Sequence, residues 1–273
     1  MIVLVTDTTA YFSRREARTH GVVQVPMNYA HEGRTTYTEG YADENEAMLT
    51  PVTMNPSHFT TSQASYAAFL STLEDIVAEG HQALVLPISS RLSGTYANAY
   101  KAAQVIGPEK VAVVDSKTTA GALYLLLLKA REWIGEGLPL GEVALRVKEY
   151  REKTNTLFSV KDMAPLRKSG RLNLVRMSVS TILNIRPILK LTAGGVNAYA
   201  VARGQHEQLR LLEEAAAHCK TPVVVQHCRA QEQAEQLAHR LRGKGIAVIQ
   251  RTLGPVLAIH LGGGCLSVAW VDG

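Results

Sequence analysis

Between Ala83 and Ala103 the chain sets an apolar run, ALVLPI, before a hydroxyl-rich loop, SSRLSGT, and a stretch of interleaved alanines and polar residues, YANAYKAAQ. A strand that ends in such a loop and passes into a helix builds an anion site. A helix opening at Gly94 to Tyr96 leaves its first N–H groups unpaired and its dipole pointing outward, which favours a phosphate or carboxylate there. Ser89, Ser90, Ser93 and Thr95 could add hydroxyl donors, and Gly94, lacking a Cβ, lets backbone approach a ligand closely. Ser and Thr are also ordinary helix N-caps, so one junction of this kind does not decide the matter. The construction recurs, however, as IVLVTDTTA at 2–10 and as VAVVDSKTTAG at 111–121. In an open parallel sheet such turns all fall at the carboxyl edge of the strands, where ligands sit. A fourth loop, TTSQAS at 60–65, precedes the amphipathic stretch YAAFLSTLEDIVAEG and could cap it, which adds Thr61 and Ser62 to the candidates. Asp7 and Asp115 end corresponding strands. Such an acid could hold a metal, act as a base, or accept bonds from neighbouring N–H groups, and the last is the simplest reading.

Other chemistries find little support. The dipeptides His218-Cys219 and His227-Cys228 match no common zinc spacing, and neighbours on a strand point to opposite faces. There is no GxSxG elbow, Walker loop, HExxH helix or GxGxxG turn. The three cysteines, Cys219, Cys228 and Cys265, are odd in number and lack CxxC spacing, so reduced, buried thiols are expected rather than a disulfide framework.

The elements that must position these residues change grammar along the chain. The first part alternates strand and helix: a strand at 2–6, a helix after Ser65, a strand at 83–88, a helix from Gly94, a strand at 111–114 and a helix from Thr118. LGEVALRVKEYREKT then leads into a second unit. There RPILKLTAGGVNAYAVARG reads as a β-hairpin turning at Gly194-Gly195, and PVVVQHC, IAVIQRT and LSVAWV read as further strands with two helices interleaved. The expected fold is therefore α/β in two domains. Residues 1–155 form a three-layer α/β/α domain on a mainly parallel sheet, and residues 156–273 a layered α/β domain on a mixed sheet, with the ligand between them. At 273 residues, 46% hydrophobic and 19% charged, the composition is that of a globular protein with room for two cores. MIVLVTDTT carries no basic leader, and ALYLLLL is stopped by Lys129 short of a span, so a cytoplasmic protein without stable membrane insertion is expected. Between Lys161 and Arg203 eight Lys and Arg face a single acid, Asp162. Such a patch suits phosphates, an acidic protein surface or plain solvation. Nucleic acid is not expected, because that stretch lacks recognised motifs and stacking aromatics.

TDTTA, TTSQAS, ISSRLSGTYANA, VDSKTTAGA, LRKSGRLN, ILNIRPIL and GPVLAIHLGGG together, in this order, resemble the DegV family over essentially the whole chain. The resemblance implies a two-domain α/β protein that encloses a long-chain fatty acid between its domains. It further implies a non-catalytic lipid-binding subunit of a bacterial fatty acid kinase, which presents the acyl carboxylate to a separate ATP-using subunit that makes acyl phosphate. The fatty acid is then a bound ligand, and no cofactor or metal is expected. Carried over residue by residue, the carboxylate-binding positions fall on Thr61, Ser62 and Ser93, with backbone N–H near Gly94, and on His260. Without the resemblance, His260 would read as a satisfied core residue in an apolar strand. Met163, Ile182, Leu183, Ile185 and Leu189 are candidates to line the tail. Arg171 and Arg203 resemble positions linked with kinase docking or phosphate transfer. The chain departs from the family pattern at Ala64, at Ser169 and at Leu261-Gly262-Gly263, where Leu261 removes a hydroxyl beside the proposed head-group site. Two alternatives from the residues alone stay open: a stand-alone hydrolase or transferase with Ser93 as nucleophile and His260 as base, and a binding module for a phosphorylated small molecule.

Overall fold

The computed structural model of the chain describes residues 1–172 and 184–272. The strands β1 (Ile2–Asp7), β2 (Val22–Val25), β6 (Gln82–Val85) and β7 (Val111–Val113) form a parallel sheet in the order β2-β1-β6-β7. Their apolar runs are covered on both faces, as parallel strands require. On one face lie α3 (Tyr66–Ala78) and α4 (Thr95–Ile106), packing Phe69, Leu73 and Ala99 on Val5, Ala83 and Val85. On the other lie α1 (Arg14–His20), α5 (Ala120–Gly135) and α6 (Leu140–Tyr150), which pack Ala17, Leu126 and Val143 against Leu4 and Leu84. The chain leaves β1 toward β2 on one side and later returns to β6 on the other, so the switch point of the sheet opens between the carboxyl ends of β1 and β6. Asp7 and Asp115 hold the loops there as acceptors, in agreement with the simplest reading of the sequence. Asp7 takes the N–H of Ile88 at 2.6 Å and of Thr9 at 3.0 Å, and Asp115 takes those of Ser90 at 3.1 Å and Lys117 at 3.0 Å.

Between β2 and α3 the chain builds a small antiparallel sheet, β4-β3-β5, from β3 (Asn28–His31), β4 (Thr35–Thr38) and β5 (Phe59–Ser62), with α2 (Glu46–Met54) inserted before β5. Thr61 and Ser62 therefore lie on a strand, opposite Tyr29 and Asn28, and not in a loop. The polar Thr-Thr-Ser run shows no hydrophobic alternation, so only its pairing with β3 reveals the strand. Ser65 does cap α3, accepting the Ala68 N–H at 3.1 Å.

The second sheet is mixed and six-stranded. Its strands are β8 (Thr154–Ser159), β9 (Ile185–Thr192), β10 (Gly195–Arg203), β11 (Val223–Cys228), β12 (Val248–Thr252) and β13 (Cys265–Val271), in the order β10-β9-β8-β13-β11-β12. Among these strands β11 and β12 pair in parallel and the other neighbours antiparallel. The hairpin turns at Ala193-Gly194, with φ of +47° and +82°, one residue before the expected pair. The helices α8 (Gly204–Ala216) and α9 (Gln231–Gly243) cover one face through Leu209, Leu212, Leu237 and Leu241. The other face meets α5, whose leucines pack on Val224, Ala269 and Val271 as well as on the parallel sheet. That double duty explains ALYLLLL as a helix apolar on all sides because it is buried on all sides. No helix among the described residues is long and apolar enough to cross a membrane. Two short helices complete the fold, α7 (Ala164–Ser169) and α10 (Pro255–Leu261).

Candidate functional site

A cavity of about 490 Å³ lies between the two large sheets, within the size range of small-ligand pockets. Its floor comes from one face of the mixed sheet, through Thr156, Phe158, Leu191, Val196 and Ser267. The carboxyl edge of the parallel sheet supplies Ile88, Leu92, Ser93, Gly94, Thr119 and Ala120, while β5 adds Thr61 and Ser62. From α10 come Val256, Leu257 and His260. The structure thus brings Thr61, Ser62, Ser93, Gly94 and His260 to one cavity, and it adds Arg171, which the sequence reading reserved for docking.

His260 belongs to a helix and not to a strand; Pro255 at its first turn starts α10 where a strand would lose a ladder bond. Its Nε2 lies 2.8 Å from Thr61 Oγ1, and its Nδ1 is buried without a partner among the described residues. Burial, and secondarily the charge of Arg171, pull the imidazole down to about 4, so it is neutral at neutral pH. A neutral ring that donates Nε2–H to Thr61 leaves the Thr61 hydroxyl proton free for the cavity. Ser93 ends a second relay. Thr95 Oγ1 accepts the Ala64 N–H at 3.3 Å and sits 2.8 Å from Ser93 Oγ, which also accepts the Thr95 N–H at 3.2 Å. With the Thr95 hydroxyl as donor, Ser93 Oγ receives two protons and its own hydrogen is free to serve an acceptor in the cavity. Chained donors of this kind polarise one another.

Gly94 is the N-cap residue of α4, and a Cβ there would lie 2.1 Å from Gln63 Oε1. The approach is made by the amide end of the exposed Gln63 side chain, which packs the β5–α3 loop against the helix terminus and can swing aside. Asn98 fastens the same loop, donating to the Ala64 carbonyl at 2.8 Å. Ser89 and Ser90 are used elsewhere, the first donating to Gly194 O at 2.8 Å and the second to Asp115 at 2.5 Å. Arg171 is fixed by the carbonyls of Ser169 and Leu92. With Thr61 and His260 it also lines an outer groove, so these three form the wall between cavity and surface.

Several expected tail residues fall elsewhere. Leu189 is fully buried on β9, two residues along the same face from Leu191, and belongs to the core beneath the cavity. Met163 is buried at the start of α7, where Leu166 reaches the cavity instead, and half-buried Ile185 at the start of β9 lines none of it. Ile182 and Leu183 lie outside the described residues. Arg203 is exposed at the end of β10, its N–H bonded to Glu207 at 2.6 Å, and lines neither cavity nor groove. Cys228 and Cys265 are buried, whereas Cys219 is half-buried.

Sequence reasoning missed the residues that aim α10. Glu39 is buried and accepts the Val256 N–H at 2.9 Å and the Thr8 hydroxyl at 2.7 Å. Desolvation raises its carboxyl to about 7. Tyr11 lies beside it, its hydroxyl accepting the Leu257 N–H at 3.3 Å. Both cap the first turn of α10 from more than two hundred residues away in sequence, a distance at which no local pattern could signal them.

A family model for uncharacterised proteins of the DegV family matches residues 1–273. The chain belongs to the DegV family. It is 30% identical to a DegV domain-containing protein of Streptomyces coelicolor, over 98% of this chain and 97% of that protein. Among solved DegV structures, one reported for fatty acid binding, from Thermus thermophilus, is 26% identical, with a TM-score of 0.88 and 99% of each chain covered. A fatty-acid-binding DegV protein from Streptococcus agalactiae is likewise 26% identical, with a TM-score of 0.86, covering 100% of this chain and 99% of that one.

Proposed function

We propose that this chain binds a long-chain fatty acid in the inter-sheet cavity and presents its carboxylate to a separate ATP-dependent kinase subunit that forms the acyl phosphate. The observation that carries the reading is the composition of the cavity lining. Thr61 and Ser93 hydroxyls, the N-terminus of α4 and the Arg171 cation line it, and apart from Thr119, Thr156 and Ser267 the remainder is largely apolar. A buried carboxylate needs such a donor set. An acyl chain of roughly fifteen methylenes at about 0.8 kcal/mol each contributes about 12 kcal/mol before ordering costs, so the tail can carry the affinity and the head group the orientation. The fatty acids bound by the Thermus thermophilus and Streptococcus agalactiae relatives support the ligand class. In this reading residues 1–155 and 156–273 are two domains closing on the ligand, the protein works in the cytoplasm, and the chain itself is non-catalytic.

The hydrolase reading is disfavoured by geometry. His260 Nε2 faces Thr61 and not Ser93, no carboxylate orients Nδ1 among the described residues, and an imidazole near 4 is a poor base at neutral pH. Mass spectrometry of an organic extract of the purified protein should show a fatty acid. Incubation of the chain alone with ATP and fatty acid should yield no acyl phosphate until the kinase subunit is added, and turnover without it would overturn the carrier reading. Arg171 stands at the groove beside the head group. With the kinase present, Arg171→Ala and Arg203→Ala should depress acyl-phosphate formation more at low salt than at high, because steering charges are screened over about 10 Å at 0.1 M.

A further inference from the structure

The basic stretch of the chain has a second destination that the fatty-acid reading does not use. In the mixed sheet, β11, α9 and the parallel β12 form a βαβ unit, and the turn from β11 into α9 is where such units hold phosphates. That turn is Arg229-Ala230. Arg229 takes a left-handed φ of +53°, and Ala230, at the N-cap of a 13-residue helix, offers no side-chain cap. A separate cavity of about 150 Å³ opens at this point, sharing no lining residue with the inter-sheet cavity.

Its lining holds three cations, Lys161, Arg186 and Arg229, and no acidic residue. Among the described residues Lys161 and Arg186 form no ion pair, and Arg229 meets only the exposed Glu46, at 3.3 Å. Gln208 of α8 is the second, independent sign. It lines the cavity at 2% exposure, yet its amide makes no hydrogen bond among the described residues. Its neighbours Gln205 and Gln233 are held to each other at 3.4 Å. An amide of a side chain 2% exposed that lines this cavity and is bonded to no described residue takes its partner from whatever the cavity holds.

We propose that this pocket binds a small phosphate, as inorganic phosphate or as the phosphoryl group of a small monoester. Lys161 and Arg186 supply the charge, the first turn of α9 its N–H groups after that of Ala230, which His227 Nδ1 accepts at 3.4 Å, and Gln208 a neutral donor. The compact volume excludes a whole nucleotide and suits one phosphoryl group with a few attached atoms.

The test titrates the intact protein with inorganic phosphate and, separately, with glycerol 3-phosphate, by calorimetry and by amide chemical shifts. Saturable binding of either probe is expected, with shifts centred on Arg229 to Gln233. A preference for one probe tells free phosphate from a monoester. Lys161→Ala and Arg186→Ala, at solvent-accessible positions, should each weaken binding about tenfold or more, and Gln208→Leu should weaken it further. Fatty-acid affinity should not change in any of these variants, so failure here is separable from failure of the carrier reading. Absence of saturable binding for both probes, or binding that survives the Lys161→Ala, Arg186→Ala double variant, would overturn the proposal.

Discussion

Replacing Thr61 by valine tests the proposed role of its hydroxyl in head-group recognition. The change is nearly isosteric, keeps a β-branched side chain on β5 and leaves the pairing of position 61 with Tyr29 intact. It removes one hydroxyl, together with the 2.8 Å contact to His260. Loss of a donor to a charged acceptor costs about 1.5–3 kcal/mol, which is about a 10- to 150-fold rise in Kd. Valine also strands the second imidazole nitrogen, so the unliganded fold should lose about 1 kcal/mol in urea denaturation. Titration with laurate and with stearate supplies the control. The two acids differ greatly in tail contribution, at about 0.8 kcal/mol per methylene, but share a head group, so the fold-loss should be the same for both. Ser93→Ala should act in the same direction, and the double variant should be non-additive if both hydroxyls serve one carboxylate. A folded Thr61→Val protein that binds both acids as tightly as the parent would refute the head-group assignment.

The other expectations are narrower. Because the folded His260 is held near 4 against an ordinary 6.5, the unfolded chain binds the extra proton between those values; this contribution is complete above pH 6.5 and is lost as pH falls toward 4. It amounts to at most about 3 kcal/mol, less for a ring that faces a cavity water can enter, and His260→Gln should flatten the urea-midpoint profile in that window, whereas an unchanged profile would refute the assignment. Gly94→Ala sets a Cβ against the amide end of exposed Gln63, which can swing aside, so far-ultraviolet dichroism and fatty-acid affinity should both change little; a large loss of affinity that Gln63→Ala restores would mean that Gln63 is fixed where it stands. Thr156 presents a buried hydroxyl without a partner among the described residues, so Thr156→Val should stabilise the unliganded protein by about 1 kcal/mol; destabilisation would mean that the hydroxyl is satisfied by water.

What could be read from the sequence follows the reach of its signals. The strands β1, β6 and β7 and the helices α4 and α5 announce themselves because each strand is a short apolar run followed by polar turn chemistry, all within a dozen residues, whereas α1 carries no such signal. Ser93 and Gly94 were legible for the same reason, since a helix terminus is a local object. β5 was not, because its stability comes from pairing with β3 some thirty residues earlier and its own residues do not alternate. The expected tail residue Leu189 missed the cavity for a related cause: Leu189 and Leu191 share a face of β9, and Leu191 lines the cavity while Leu189, opposite Phe158, does not, a difference set by register across the sheet.

The geometry of His260 shows how far the site depends on such distant terms. Its position is set by α10, and the first turn of α10 is held by Glu39 and Tyr11 from the other end of the chain. Glu39 in turn is bonded to Thr8, adjacent to Asp7, whose carboxylate fixes Ile88 at the edge of the parallel sheet. One continuous set of buried polar bonds therefore runs from the end of β1, through the small sheet's flank, to the helix that carries the imidazole. Asp7 and Glu39 are both raised by burial, and their proximity adds to the cost of ionising Glu39. A carboxyl near 7 at this joint is partly protonated at neutral pH, where it can still accept the Val256 N–H through one oxygen. The cavity wall that carries His260 is thus placed by the same contacts that join the first strand to the last helix, and a change that loosens the joint should misalign His260 before it unfolds either sheet.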